Sequence, residues 1–323
     1  RWSTLQRHLR YAGAGIGYAI TEFIQKVSWE GPFGTIDVAA GHQIDESRWL
    51  HSQFYSDDFI QLWTRGPGDY TQYTHWIQDA AYRKSLVDGD TQFLTSQLYD
   101  MIKIWDAWEY TKDQTVGLYY YTPVMDAQEF SLPGYVHPDN TSEPNFRGPD
   151  TYRPSHNSYM VANARAIANI ASLAGKPDIA SNFTQIAKSL EDAMFKYLWD
   201  PEQQFFVDVI RPDNPHVDKI AGRELIGLYP FRFGIGLDKQ YTAPSVQQLF
   251  DSQGFYASFG PTTLEIRNKY FKAEVPGCCF WNGQSWPFST AHVLKSMAAI
   301  HREDNATVTA EQYYEYLSLY TKT

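Results

Sequence analysis

Two acids stand close together in Met125-Asp126-Ala127-Gln128-Glu129-Phe130-Ser131, shortly after Tyr119-Tyr120-Tyr121. A carboxylic acid among aromatic rings can protonate a leaving oxygen, as cleavage of a glycosidic bond requires alongside a second carboxylate. An apolar wall raises the pKa of such an acid toward its working range. The same residues also suit a surface turn or a helix cap. Glu129 is the first candidate acid and Asp126 the neighbouring one.

Further residues fit a polar ligand with flat apolar faces. Gly277-Cys278-Cys279-Phe280-Trp281-Asn282-Gly283-Gln284-Ser285-Trp286-Pro287-Phe288 places two tryptophans around an Asn-Gly turn, ahead of a helix-like run over 289–300. Indole rings stack on pyranose rings while amides and acids bond hydroxyls. Tyr152-Arg153-Pro154-Ser155-His156-Asn157-Ser158-Tyr159 reads as a helix entrance with Ser155 as the cap. Arg153 and Asn157 can reach substrate hydroxyls or hold the acid loop, and His156 reads as a structural hydrogen-bonder. Trp49 lies in a loop of acids and histidines over 41–51. Tyr73, Trp76 and Asp79 recur at three-residue steps, which puts the two rings on one helix face, as pocket wall or as core stripe. Glu224 follows Arg223. Glu265 is either a second carboxylate or the partner of Arg267.

Other chemistries find little support. The chain has no GxxxxGK[ST], GxSxG or HExxH. Gly13-Ala14-Gly15-Ile16-Gly17 lacks the preceding strand of a dinucleotide site. The two cysteines, Cys278 and Cys279, are adjacent and cannot staple distant segments; a disulfide between them would be strained. They are too few for a zinc site, so neither metal nor cofactor is expected.

Composition narrows the class. The 323 residues are 43% hydrophobic and 20% charged, enough to fold around a sizeable core. With 27 Lys and Arg against 37 Asp and Glu, the net charge is −10 and no basic stripe suggests nucleic acid. No apolar run approaches a membrane span. Aromatic residues reach 16%, with 10 Trp and 23 Tyr, rich enough to line a cleft as well as a core. Sequons at Asn140, Asn182 and Asn305 predict N-glycans and an extracellular or secretory location. The chain opens at Arg1 rather than Met, as a processed product or a fragment would.

Helical periodicity dominates. The spacing predicts helices near 12–27, 56–65, 70–87, 91–111, 155–174, 177–198, 222–234, 239–250, 284–300 and 309–321. Gly175-Lys176-Pro177 joins two of them as a hairpin. Strand signals are confined to 117–122 and 205–210. Loops over 28–55, 123–154 and 251–283 are long enough to carry function. No Ser/Gly-rich linker divides the chain, so a single domain over 1–323 is expected.

Taken in order, the acid loop, the 152–159 helix entrance, Arg223-Glu224-Leu225-Ile226-Gly227, Gly260-Pro261-Thr262-Thr263-Leu264-Glu265 and Trp281-Asn282-Gly283-Gln284-Ser285-Trp286-Pro287 resemble the six-hairpin glycosidases. Within them the chain is similar to the mannosylglycerate-hydrolase-like domains related to processing α-glucosidase I and trehalase. The resemblance runs from about Trp49 to the end. It implies an all-α (α/α)6 toroid of helical hairpins and an inverting mechanism, with oligosaccharide or glycoside as substrate. The family's acid sits in a Gly-Met-Asp-Asn-Ser-like loop, where Glu129 matches the Asp and Ser131 the Ser. Asn282 replaces the Arg of a Trp-Arg-Gly-Pro block. The family's base lies after the helix pair that follows the tryptophan block, which here implies a carboxylate beyond residue 323, with Glu265 as the in-chain substitute. Ten predicted helices against the twelve of six hairpins imply a chain without its last hairpin.

The expectation is therefore a secreted, inverting, exo-acting glycosidase on an α-linkage. Glu129 would be the acid, and Trp49, Tyr73, Trp76, Asp79, Arg153, Asn157, Glu224, Trp281 and Trp286 would bind the sugar. Two alternatives stand beside it: a uronate lyase or epimerase using Tyr152, Arg153 and His156, and a non-catalytic carbohydrate-binding toroid.

Overall fold

The computed structural model describes residues 2–137 and 144–321. In chain order its α-helices are α1 (Trp2–His8), α2 (Asp37–Ser47), α3 (Phe54–Thr64), α4 (Ile77–Asp88), α5 (Thr91–Ser96), α6 (Leu98–Asp106) and α7 (Leu132–Val136). They continue with α8 (Pro154–Leu173), α9 (Pro177–Tyr197), α10 (Tyr229–Arg232), α11 (Lys239–Phe250), α12 (Pro287–Glu303) and α13 (Ala310–Tyr320). Three short antiparallel pairs join them: β1 (Leu9–Tyr11) with β2 (Tyr18–Ile20), β3 (Thr151–Tyr152) with β6 (Val209–Ile210), and β4 (Trp199–Asp200) with β5 (Phe205–Phe206). Among the described residues, no helix is long and apolar enough to cross a membrane.

The chain groups into two compact units. One comprises Arg1–Lys112 and Tyr159–Ser189, the other Asp113–Ser158 and Leu190–Thr323.

In the first unit, the helix expected over 12–27 is instead the β1–β2 hairpin. Gly13, Gly15 and Gly17 all take positive φ, and the Ala12 amide donates to the Gly17 carbonyl at 2.8 Å to close the turn. Glycine gives up too much backbone freedom to favour a helix and takes φ > 0 readily. The segment 28–55, expected as a loop, contains α2. Its polar residues Asp37, Asp45 and Ser47 are buried along with Val38 and Ile44, so no clean apolar stripe announces it. Gly41 of α2 lies on the Trp76 ring, where a Cβ would sit 2.2 Å from the indole.

Helix α4 starts at Ile77, not at 70. The Asp37 carboxylate accepts the Tyr73 amide at 3.0 Å and so holds the preceding segment non-helical. Tyr73 and Trp76 consequently do not share a helix face. The helix expected over 91–111 divides at Gln97, whose buried side chain accepts a hydrogen bond from Thr64 Oγ1 at 2.8 Å. Helix α6 buries Leu98, Met101, Ile104 and Trp105.

Helices α8 and α9 form the expected hairpin, turned by Gly175 at φ 66°. Helix α8 is buried around nearly its whole circumference, so its Ser155, Asn157, Ser158 and Asn163 must find partners inside the protein. Helix α9 buries one stripe: Phe183, Ala187, Leu190 and Met194.

In the second unit, the strand expected over 205–210 splits between β5 and β6. The 117–122 signal is realised as a bridge from Tyr121 to Thr151. Leu132, Ile210, Ile220 and Leu264 form a core cluster, with Tyr270 packed on it. The helix expected over 222–234 is a 3₁₀ turn (Leu225–Leu228) running into α10.

Candidate active site

The acid loop is held in an unusual backbone shape. A 3₁₀ turn over Pro123–Asp126 ends at Ala127, which takes φ 53°, and Phe130 takes φ 49°. Left-handed conformations at two non-glycine residues store strain, and they flank Glu129 on both sides. The segment is anchored by the Val124 amide donating to the Arg147 carbonyl at 3.0 Å and the Phe130 amide to the Phe146 carbonyl at 3.2 Å.

Glu129 is half-buried. Burial raises its carboxyl above the usual range, while its own backbone amide holds it down in part. The Trp281 amide also donates to the Glu129 carbonyl at 3.0 Å, tying the tryptophan block to the acid loop. Trp281 stacks on Trp286 with centroids 4.9 Å apart and planes 2° from parallel. The Trp286 indole N–H donates to the Phe280 carbonyl at 2.8 Å, which fixes the outer, half-buried ring of the pair. Asn282 is fully buried, and its amide donates to Tyr135 Oη at 2.8 Å and to the Tyr270 and Ala273 carbonyls. It supports the turn rather than facing a ligand.

Beneath the loop lies a buried charge cluster. The β3–β6 register pairs Tyr152 with Val209, so the next residues along, Arg153 and Asp208, stand side by side. Pairing of 223–225 with 263–265 delivers Glu224 to the same point. Arg153 donates to Gln128 Oε1 at 2.8 Å, Ser131 Oγ at 3.1 Å and Glu224 Oε2 at 3.4 Å. Asp208 and Asp126 each approach it to 3.5 Å. Ser155 Oγ also donates to the Asp126 carboxylate. Asp126, next in line as the acid, is thus an internal anchor only 2% exposed.

Three carboxylates around one guanidinium would leave excess negative charge in a medium that solvates it poorly. The shift at Asp208 runs in the direction that relieves this, toward the neutral carboxyl. Burial is the main cause; Arg153 opposes it, and the charge and hydrogen bond of Glu224 reinforce it, leaving Asp208 well above the ordinary carboxylate range. Burial works against the charge on Arg153, but Asp208, Glu224 and Asp126 outweigh it and hold its pKa above the usual value.

The remaining candidates divide by unit. Asn157 Nδ2 donates to the Tyr119 carbonyl at 2.9 Å and its Oδ1 accepts the Tyr119 amide at 2.9 Å, so its side chain braces the segment before the acid loop. Tyr152 donates to Asp113 at 2.7 Å. With Arg153 engaged by its own carboxylates, Tyr152, Arg153 and His156 do not form an open uronate site. Glu265 pairs with Arg223 at 2.8 Å and with Arg267 at 3.6 Å. In the first unit, Trp76 is buried between Gly41, His42 and Tyr159, as core. Asp79 is buried and paired with Arg83 at 2.7 Å. Tyr73 is half-buried. Trp49 is 60% exposed, with Arg48 over its ring at 5.3 Å.

One participant escapes the sequence reading. Asp208 is a lone acid within the apolar run 205–210, a signal that a buried charge needs a partner. Elsewhere in this unit, Tyr229 of α10 stacks on His292 of α12 at 4.0 Å and Arg232 donates to His292 Nδ1 at 2.7 Å. Among the described residues, no three or more His, Cys, Asp or Glu side chains are arranged to hold a metal ion.

A largely helical chain with a half-buried acid on a strained loop beside stacked tryptophans fits a glycoside hydrolase domain of the (α/α)6 class. Residues 32–322 match the mannosylglycerate hydrolase MGH1-like glycoside hydrolase domain, and the chain belongs to that family. It is similar to a sialidase at 30% identity and TM-score 0.88; the match covers 99% of this chain, which spans only 29% of the sialidase's length. It shares its fold with a GH63 mannosylglycerate hydrolase from Thermus thermophilus solved with glucose, at 12% identity and TM-score 0.66, covering 100% of this chain and 98% of that one. A neutral trehalase from Saccharomyces cerevisiae aligns at TM-score 0.58 and 12% identity, over 81% of this chain and 61% of its own.

Proposed function

We propose that the domain hydrolyses an α-linked glycoside from a chain end, with inversion, and that Glu129 is the general acid. The observation that carries this reading is the environment of Glu129: half-buried, raised in pKa, held between two left-handed residues and bonded through its backbone to Trp281. A protonated Glu129 would donate to the glycosidic oxygen as the bond to the anomeric carbon breaks. Trp286 would offer a stacking face to the sugar ring. In an inverting site a second carboxylate about 6.5–9.5 Å away activates water. Glu265 is ill-suited to that role because two arginines neutralise it. Asp208 is ill-suited because burial raises it well above the ordinary carboxylate range.

Asn182 and Asn305 are exposed, which supports N-glycosylation and passage through the secretory route; Asn140 lies outside the described residues. Loss of mass on peptide N-glycosidase treatment of protein from its source tests that part.

The decisive experiment is hydrolysis of a panel of α- and β-linked glycosides by the native protein and by Glu129→Gln. Proton NMR of the first-formed anomer reports the stereochemistry. Turnover of one sugar that collapses in the variant, with inverted product, is the expected result. Turnover that survives the substitution overturns the acid assignment. Binding without turnover by either protein points to a carbohydrate-binding role.

A further inference from the structure

The acid loop and the tryptophan block meet at a pair of thiols that the proposed hydrolysis does not use. Cys278 and Cys279 are both exposed and reduced, and the Cys279 thiol donates to Cys278 Sγ at 2.9 Å. Cys279 takes φ 63°, a left-handed conformation that a side-chain-bearing residue adopts only under constraint.

The constraint comes from the acid loop on both flanks. On one side Gly277, at φ 148°, lies on Phe130 so closely that a Cβ would meet the ring at 2.8 Å. On the other, Phe280 packs on Phe130 at 5.0 Å, and the Trp281 amide bonds the Glu129 carbonyl. The dithiol is thus mounted on two residues, the candidate acid and the phenylalanine that follows it.

We propose that Cys278 and Cys279 form a modification site that small disulfides oxidise to a vicinal disulfide, and that this change reaches Glu129 through Trp281. The sulfur that accepts the internal hydrogen bond acts first. The Cys278 thiolate attacks a low-molecular-weight disulfide, RSSR, forming a mixed disulfide and releasing RS⁻. Cys279 then gives up its proton and attacks the Cys278 sulfur, expelling the second RS⁻. Both thiol protons end on the leaving thiolates, so the dithiol and RSSR become a vicinal disulfide and two RSH.

The division of labour agrees with the surroundings of Cys279. Its hydrogen bond to Cys278, its burial, and the charges of Cys278 and Glu129 push its thiol up to about 12, so it keeps its proton until the mixed disulfide has formed. Adjacent Cα atoms stand about 3.8 Å apart, below the roughly 4.4–6.8 Å that a relaxed disulfide spans. Closing the ring therefore twists the 277–281 backbone, and excess thiol reopens it readily. The effect on Glu129 rests on the glycosidase reading; formation of the disulfide does not.

The test uses reduced, folded protein and oxidised glutathione as the probe. Intact mass and free-thiol titration report the chemistry, and tryptophan fluorescence reports the Trp281–Trp286 stack. Wild type should lose two hydrogen atoms and both free thiols, change its fluorescence, and recover fully with dithiothreitol. Cys278→Ser and Cys279→Ser should each stop at a stable glutathione adduct. Wild type that also stops at adducts, or stays reduced, overturns the site. Closure without a fluorescence change, and with an unaltered pH profile of any glycoside turnover, overturns its connection to Glu129.

Discussion

Two carboxyl centres in the second unit share a raised pKa yet differ in everything that decides use. Asp208 is 3% exposed, sits just before β6 and lies against an arginine; Glu129 is half-buried, sits between two strained residues and is tied through its backbone to Trp281. Full burial among other charged groups raises Asp208, whereas partial burial raises Glu129. Burial raises both carboxyls; access and stored strain separate a scaffold from a site.

The largest effect should fall on Glu129. Glu129→Gln should reduce kcat by on the order of 10²–10⁴, the usual contribution of a general acid, with little change in melting temperature. In wild type, activity should fall as pH rises through the Glu129 pKa, and a profile rising through that range would remove the acid role. Arg153→Leu should instead act on stability. It strands Asp126 and Glu224 as buried charges and should cost about 3–5 kcal/mol in urea unfolding. A loss below about 1 kcal/mol would mean that the cluster contributes far less than its geometry implies.

Trp286→Ala should weaken binding more than turnover. Loss of one stacking face, about 0.5–1.5 kcal/mol, corresponds to a rise in KM of up to about tenfold with kcat nearly retained. An unchanged KM would place the sugar elsewhere.

The smallest effect at neutral pH should be that of Asp208→Asn, because the raised pKa of the native side chain favours its neutral form; stability should change by about 1 kcal/mol or less. Its mark should be on the pH dependence. Below about 3.9 both folded and unfolded chains protonate this residue. Above that value the unfolded chain loses the proton first, so wild-type stability declines until the raised folded pKa is passed. The Asn variant should lack that part of the decline in a melting series from pH 4 upward. Identical slopes would show that Asp208 titrates normally.

How much of the fold and site is legible in the sequence depends on the range of the interaction. The α8–α9 hairpin is legible because its signals are local: apolar spacing, then Gly175 and Pro177. The glycine-rich 13–17 segment misleads because the hydrophobic spacing around it outweighs what three glycines do to a backbone. Helix α2 stays hidden because its buried face includes Asp37, Asp45 and Ser47, whose partners lie elsewhere in the chain. Trp76 and Asp79 carry the right residue types for a sugar pocket and prove to be a core ring and an ion pair.

By itself, the sequence determined the helical framework, the candidate acid and the pairing of aromatic and acid motifs in one order, because residue type and short-range periodicity express these directly. The tertiary structure alone decided which acids are engaged by arginines. Asp126, Asp208, Glu224 and Glu265 look as eligible as Glu129 when written in a line. Only packing put arginines against four of them and left the fifth half-open beside an indole, and a carboxyl's proton answers to burial and neighbouring charge, which no linear spacing encodes.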